Sequence, residues 1–153
     1  MIATGAAAPD FTLPRDGGGK VTLSALRPQK VVLFFYPKDD TPGCTTEALD
    51  FTRLGPDFAT VGAVVVGLSK DSAAAHDKFC RKHALGVILA SDEGSNICEA
   101  YGTWVEKTNY GKTYMGIERT TVLIDSTGRV ARVWTKVKVE DHAAEVLDAV
   151  RAL

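Results

Sequence analysis

This chain holds only three cysteines in 153 residues, and no two of them form a C-x-x-C pair. An odd, widely spaced set makes no disulfide framework and lacks the paired spacing of a zinc knuckle. Charge of one sign is equally short. The 18 basic and 19 acidic side chains leave a net charge of −1, which excludes the broad electrostatic footprint of a nucleic-acid or anionic-membrane binder. No apolar run reaches the ~20 residues of a membrane span. The opening MIATGAAAPDF has neither the basic start nor the apolar stretch of a secretory signal. The histidines, His76, His83 and His142, are scattered and make no metal-binding pattern; no metal or organic cofactor is expected. Repeats, low-complexity tracts and linkers are missing as well, which predicts one domain over residues 1–153. The thiols therefore stand out as the available chemistry, free and in a reducing, cytoplasmic setting. The plainer reading is that each is a small buried hydrophobe.

What is present alternates strands with helices. Phe11-Thr12-Leu13 and Val21-Thr22-Leu23 flank Asp16-Gly17-Gly18-Gly19-Lys20 and predict a hairpin closed by a glycine turn. No Ser or Thr follows that lysine, as a phosphate loop requires. Val31 to Tyr36 is an apolar, β-branched and aromatic run suited to a strand buried on both faces. Beyond it Ala48, Phe51, Leu54 and Phe58 fall near helical spacing, and Gly55-Pro56 predicts a kink or restart. Gly62 to Leu68 predicts a second buried strand, and Asp71-Ser72 supplies N-cap chemistry for a helix running to about His83. A short strand at Val87 to Leu89 and a short helix at Asn96 to Tyr101 follow. Strands at Thr121–Ile124 and Val130–Trp134 are joined by the turn Asp125-Ser126-Thr127-Gly128, and a last helix covers roughly Glu140 to Ala152. This order predicts an α/β layered domain.

The stretch YPKDDTPGCTTEA, residues 36–48, lies where the first buried strand gives way to a helix. A thiol is a nucleophile only as thiolate, and the surroundings of Cys44 favour the anion. Cys44 falls in the predicted first turn of the helix, where free backbone N–H groups and the helix dipole attract negative charge. Pro42 and Gly43 suit a helix start and a close backbone approach. Thr41 can bring its hydroxyl alongside the sulfur or a bound oxygen species. Pro37 removes a donor at the strand's end and can shield one side of a pocket. A cation would complete the arrangement, and Arg119, at the entrance to the Thr121–Ile124 strand, is the best candidate, although most arginines are solvated surface groups. Glu47, one turn after Cys44, is within reach of the same place. Trp104 and Tyr114 fit a pocket rim or ordinary packing equally well.

Pro37-x-x-x-Thr41-x-x-Cys44 matches the active-site pattern of the peroxiredoxins, and FYPKDDTPGCTTEA resembles their bacterioferritin comigratory protein, or peroxiredoxin Q, branch. Matching stretches run nearly end to end. They are APDFTL at 8–13, VVGLSKDS at 65–72, HDKF at 76–79, ASDEGSNICEAYGTWVEK at 90–107 and GKTYMGIERTTVLIDSTGRV at 111–130. The resemblance implies a thioredoxin-like fold, a central mixed sheet flanked by helices with an N-terminal β-hairpin. It also implies reduction of hydrogen peroxide and organic hydroperoxides, with thioredoxin or a similar dithiol as the reductant and a monomer as the unit. By the same resemblance Cys44 is the peroxidatic cysteine, Thr41 orients the peroxide, Pro37 shields the pocket and Arg119 stabilises the thiolate and the developing charge. Backbone N–H groups at Gly43 and Cys44 would help hold the substrate oxygens. The product on the chain would be a sulfenic acid.

Many members of this branch carry a resolving cysteine five residues after the first, a position occupied here by Leu49. Another subgroup carries it on the following helix, and Cys80 fits that placement. In HDKFCRKH, Phe79 reads as the core anchor, which turns Cys80 about 100° away toward the surface. Arg81, Lys82 and His83 beside it would favour its thiolate. His76, one turn earlier, reads as a solvated helix residue, and Cys98, between Ile97 and Tyr101, as a structural cysteine. Two rivals stand beside this reading. A thioredoxin-type disulfide reductase needs a C-x-x-C and a proline before a later strand, whereas the last proline here is Pro56. A non-catalytic holdase or binding module would tolerate loss of Thr41, Cys44 or Arg119, and all three are present.

Overall fold

The computed structural model describes residues 2–153. In chain order the elements begin with β1 (Thr12–Pro14), β2 (Lys20–Thr22), β3 (Lys30–Phe35), α1 (Pro42–Arg53) and α2 (Gly55–Thr60). They continue with β4 (Ala63–Ser69), α3 (Ala73–His83), β5 (Ile88–Ser91) and α4 (Ile97–Ala100). The last five are β6 (Trp104–Asn109), β7 (Lys112–Ile117), β8 (Thr120–Ile124), β9 (Val130–Trp134) and α5 (His142–Arg151). Five strands form the central sheet in the order β5-β4-β3-β8-β9. β3, β4 and β5 run parallel, while β8 and β9 are antiparallel to their neighbours. The sheet is therefore mixed, as expected, and the β1–β2 pair is the expected N-terminal hairpin.

β3 is the spine because it is apolar on both faces. Val31, Val32, Leu33, Phe34 and Phe35 are each no more than 2% exposed. Alternation along the strand divides them between two layers. Val31, Leu33 and Phe35 join Phe11, Cys98 and Tyr101 on one side. Val32, Phe34 and Tyr36 join Cys44, Phe51, Phe79 and Val146 on the other. Gly67, opposite Phe34 in β4, is small for a reason, since a Cβ there would lie 2.7 Å from the Phe34 ring.

α1 lies on the second layer through Cys44, Glu47, Ala48 and Phe51, a spacing that lines one helical face. Phe51 stacks on Phe34 with ring centroids 4.8 Å apart. Burying such a side chain stabilises by roughly 1.5–3 kcal/mol, so α1 is anchored at its C-terminal half while Cys44 occupies its first turn. Helix restart at Gly55-Pro56 occurs as predicted, giving α2. The Ser72 hydroxyl accepts from the Ala75 N–H and caps α3.

One element lies outside the sequence reading, the β6–β7 hairpin over 104–117. Its strands are largely exposed on both faces, so no apolar alternation announces them. The turn is carried by Tyr110 and Gly111, with φ of 52° and 75°. No helix is long and apolar enough to cross a membrane among the described residues.

Candidate active site

The register of the sheet explains how a residue seventy-five positions from Cys44 comes to touch it. β8 runs antiparallel to β3 with Phe35 opposite Thr120. Arg119, one residue before Thr120, therefore stands beside the carboxyl end of β3, where the chain turns into α1. Its backbone carbonyl accepts from the Val137 N–H at 3.0 Å, which fixes the approach. The guanidinium then reaches both residues of α1's inner face, donating from Nη2 to Cys44 Sγ at 3.4 Å and from Nη1 to Glu47 Oε1 at 2.8 Å. Cys44 is 2% exposed and lies one turn inside the helix whose N-cap is Thr41. A sulfur there faces the positive end of the helix and a fixed cation together.

Glu47 is itself buried, at 1% exposure, and its Oε2 has no hydrogen-bond partner. Burial pushes its carboxyl up to about 7, against the downward pull of Arg119. Arg119 is raised in turn by Glu47 and Cys44, overriding its own desolvation. The three groups behave as one cluster. Lys107, brought in by the β6–β7 hairpin, is held below the ordinary lysine range by burial first and then by Arg119. It adds a second cation near the site that sequence spacing gave no means of finding.

The Thr41 hydroxyl donates to the Lys38 carbonyl at 2.9 Å. With its hydrogen committed there, its oxygen is left to accept a hydrogen from a bound hydroperoxide, rather than to donate to the sulfur. Pro37 is exposed. It lines a groove of about 350 Å³ with Lys38, Trp104, Lys107, Tyr114 and Ile117, so both aromatic residues left open by the sequence border the site. Gly43 lines a groove of about 520 Å³ on the other side of α1's first turn. A Cβ on Gly43 would lie 3.3 Å from Arg119 Nη2, which gives the glycine its purpose.

Cys80 differs from its sequence reading. It is half-buried against the layer that holds Cys44, and its thiol is pushed up to about 12 by burial first and then by Asp16, Asp39 and Asp77. The neighbouring basic side chains do not help it, because each has another partner. Arg81 pairs with Asp77, and Lys82 and His83 both pair with Asp40. Cys98 is fully buried in the opposite layer, its thiol raised by burial and by Asp92, in keeping with a structural role. All three cysteines are free.

His76 is also corrected. It is not solvated but completely buried, because it lies one turn before Phe79 on the same inward face of α3. Its Nε2 donates to the Ala90 carbonyl at 3.0 Å and its Nδ1 lies 2.7 Å from Asp39 Oδ2. Asp39, Asp71 and His76 are close enough together to ligate a metal ion. Their polar atoms are, however, engaged with one another and with Tyr36 and Ser69, so the cluster is a hydrogen-bonded network.

The sequence matches the AhpC/TSA family over residues 4–133. It is 51% identical to a bcp-type peroxiredoxin of Coxiella burnetii, covering 95% of this chain and 97% of that protein. It is 49% identical to peroxiredoxin Bcp of Bacillus subtilis, over 98% and 96%. Among solved structures it superposes with a TM-score of 0.89, at 44% identity and over 93% and 90% of the two chains, on the bacterioferritin comigratory protein of Xanthomonas campestris, studied for alkyl peroxide reduction through trapped intermediate and ligand complexes.

Proposed function

The chain belongs to the AhpC/TSA family as a peroxiredoxin of the Bcp, or peroxiredoxin Q, type, and from that premise we propose that Cys44 is its peroxidatic and Cys80 its resolving cysteine. The fold is thioredoxin-like and the activity is that of a thiol peroxidase. One observation carries the assignment of Cys44, the Arg119 guanidinium within 3.4 Å of its sulfur at a helix N-terminus. The thiolate attacks the distal oxygen of a hydroperoxide, breaking the O–O bond. Arg119 and the N–H groups at Gly43 and Cys44 offset the charge developing on the oxygens. Thr41 orients the substrate by accepting its hydrogen, and Pro37 borders the entry. The products are a sulfenic acid on Cys44 and water or an alcohol.

Cys80 is favoured over Cys98 because it shares the apolar layer of Cys44, while Cys98 lies beneath the other face of the sheet. A disulfide requires Cα atoms roughly 5–6 Å apart, so the first turn of α1 unwinds and the Cys80 segment loosens. The substrates are hydrogen peroxide and alkyl hydroperoxides, and the reductant is thioredoxin or a similar dithiol. We read residues 1–153 as one domain acting as a cytoplasmic monomer. Non-reducing peptide mapping after one equivalent of peroxide is the test. A Cys44–Cys80 link is expected, and a Cys44–Cys98 link, or none, overturns the assignment. Peroxide-dependent oxidation of thioredoxin must also vanish in Cys44→Ser.

A further inference from the structure

The six residues between β3 and α1, 36–41, are tied to the helix that carries Cys80, on both sides of that cysteine. On one side Asp39, its side chain only 7% exposed, accepts from Tyr36 Oη at 2.6 Å through Oδ1 and lies 2.7 Å from His76 Nδ1 through Oδ2. Its backbone N–H donates to Asp71 Oδ2 at 2.9 Å, and Asp71 also accepts from Ser69. On the other side Asp40 accepts from Lys82 Nζ at 2.6 Å and from His83 Nε2 at 2.8 Å. Asp40 holds this position in the left-handed region, at φ 59°, which a non-glycine residue seldom adopts without local support. His76 precedes Cys80 by one helical turn, and Lys82 and His83 follow it within the next.

We propose that these ties are a latch, in which Asp39 and Asp40 are positioning residues that hold the loop before Cys44 against α3 while peroxide is reduced, and whose release delivers Cys80 to the oxidised sulfur. The latch rests on the reading of Cys80 as the resolving cysteine. Closed, it keeps Cys44 in its pocket and also keeps Cys80 unreactive. Asp39 is one of the carboxylates that disfavour the Cys80 thiolate, and Asp40 occupies the Lys82 ammonium that would favour it, together with the His83 ring. Opening reverses both effects in one movement. The Asp39 charge leaves the neighbourhood of Cys80, and Lys82 and His83 lose their partner. Mobility and thiol activation are thus coupled through the same residues.

The chemistry that follows balances without any further reactant. The Cys80 sulfur attacks Cys44 Sγ, the S–S bond forms and the S–O bond of the sulfenic acid breaks. The departing hydroxide takes the Cys80 proton and leaves as water. While the latch is closed, a second peroxide competes for the sulfenic acid and carries it to sulfinic acid. The latch therefore sets how much peroxide the protein tolerates before it is inactivated.

The test compares wild type with Asp40→Asn and Asp39→Asn by rapid thiol alkylation and mass mapping after mixing with hydrogen peroxide. In Asp40→Asn, whose side chain is largely at the surface, the first-order rate of Cys44–Cys80 formation is expected to rise about three- to tenfold. The second-order rate of Cys44 oxidation stays unchanged, and the peroxide dose giving half sulfinic acid rises in proportion. Asp39→Asn should raise the resolution rate further, at least about tenfold. In reduced Asp40→Asn, amide exchange should quicken over 37–46 and 79–84 and nowhere else. An unchanged or slower resolution rate with unchanged exchange overturns the latch. So does an acceleration that comes with faster exchange throughout the sheet, because that is general destabilisation. If wild type forms no Cys44–Cys80 bond, the assignment of Cys80 fails, and local exchange in the reduced variants still decides whether these residues hold the loop.

Discussion

Cys44 and Cys80 share one apolar layer on one face of the sheet, yet their electrostatic surroundings have opposite sign. Cys44 meets a helix N-terminus and the Arg119 guanidinium at 3.4 Å. Cys80 meets Asp16, Asp39 and Asp77, and its thiol is pushed up to about 12 by burial and by those carboxylates. Burial alone would treat two such thiols alike, as it does most cysteines. The difference teaches that the folded state is arranged for one reaction only. On the proposed assignment, it presents Cys44 to peroxide and withholds Cys80 until part of the structure opens.

The most severe way to break this contrast is to remove its second half. Cys80→Ser should leave the first oxidation of Cys44 at the wild-type rate and abolish steady turnover with thioredoxin. Cys44 should then proceed to sulfinic acid as further peroxide is added, read by intact mass and by loss of thioredoxin oxidation. Sustained turnover in this variant, with no other thiol added, would mean that the two sites are not partners.

The next largest effect comes from erasing the cation on one side of the comparison. Arg119→Ala is expected to slow Cys44 oxidation about 10²–10³-fold, as removal of a preorganised charge-stabilising donor does. Disulfide formation, once the sulfenic acid is present, should change little, because Arg119 is not among the groups acting on Cys80. Arg119→Lys should recover only part of the loss, since one ammonium cannot serve Cys44 and Glu47 with a planar fork. Stopped-flow measurement of the two phases checks both statements. Equal slowing of both phases would erase the asymmetry.

Most of the fold was legible in the chain because its strands are extreme cases. Val31 to Tyr36 and Gly62 to Leu68 are continuous apolar runs, and both lie at the centre of the sheet. The β6–β7 hairpin was not legible, since Trp104–Asn109 and Lys112–Ile117 are mostly exposed, with burial only at their base near Trp104 and Ile117, and carry no alternation to read. With it went Lys107 and the means of deciding what Trp104 and Tyr114 do. Cys44, Thr41 and Gly43 could be read locally, as parts of one helix start. Arg119 could be named as the candidate cation from its place before a strand, and again by resemblance, but its contact with Cys44 could not be read because it depends on strand order and register. The errors at Cys80 and His76 differ in cause: His76 shares the inward face of Phe79, so helical phase itself pointed to its burial, whereas Cys80 needed more than phase. Helical phase gives the face on which a residue lies, but not which charges other segments bring to it. Here those charges are Asp16 from the N-terminal hairpin and Asp39 and Asp40 from the loop after β3.

A subtler test concerns the acid inside the Cys44 cluster. Burial raises the folded-state carboxyl of Glu47 to about 7 from a reference of 4.5. Between those values the native protein binds more protons than the unfolded chain, so stability falls as pH rises through that window and levels off above it. Glu47→Gln removes this term. The difference in unfolding free energy between variant and wild type should therefore move in favour of the variant as pH rises from 4.5 to 7, by up to about 3 kcal/mol. Below 4.5 the difference should be flat. Urea denaturation of the reduced proteins across that range is the measurement, and parallel curves would show that Glu47 is ionised throughout.

The smallest effect is expected at the third thiol, and it sharpens the comparison by supplying its control. Cys98 is as buried as Cys44, but it lies in the layer containing Phe35, Leu68 and Tyr101, across the sheet from the site. Reaching Cys44 would require it to pass through β3 and β4, which are almost wholly buried. No local unwinding of α1 achieves that. Cys98→Ala should therefore leave the rates of oxidation and of disulfide formation unchanged, while lowering stability by about 1 kcal/mol through the small cavity it creates. Cys98→Ser should cost no more than this, because Asp92 and Thr103 stand beside the sulfur and can partner a hydroxyl. A change in either rate, with stability intact, would mean that location relative to the sheet does not decide which cysteine resolves.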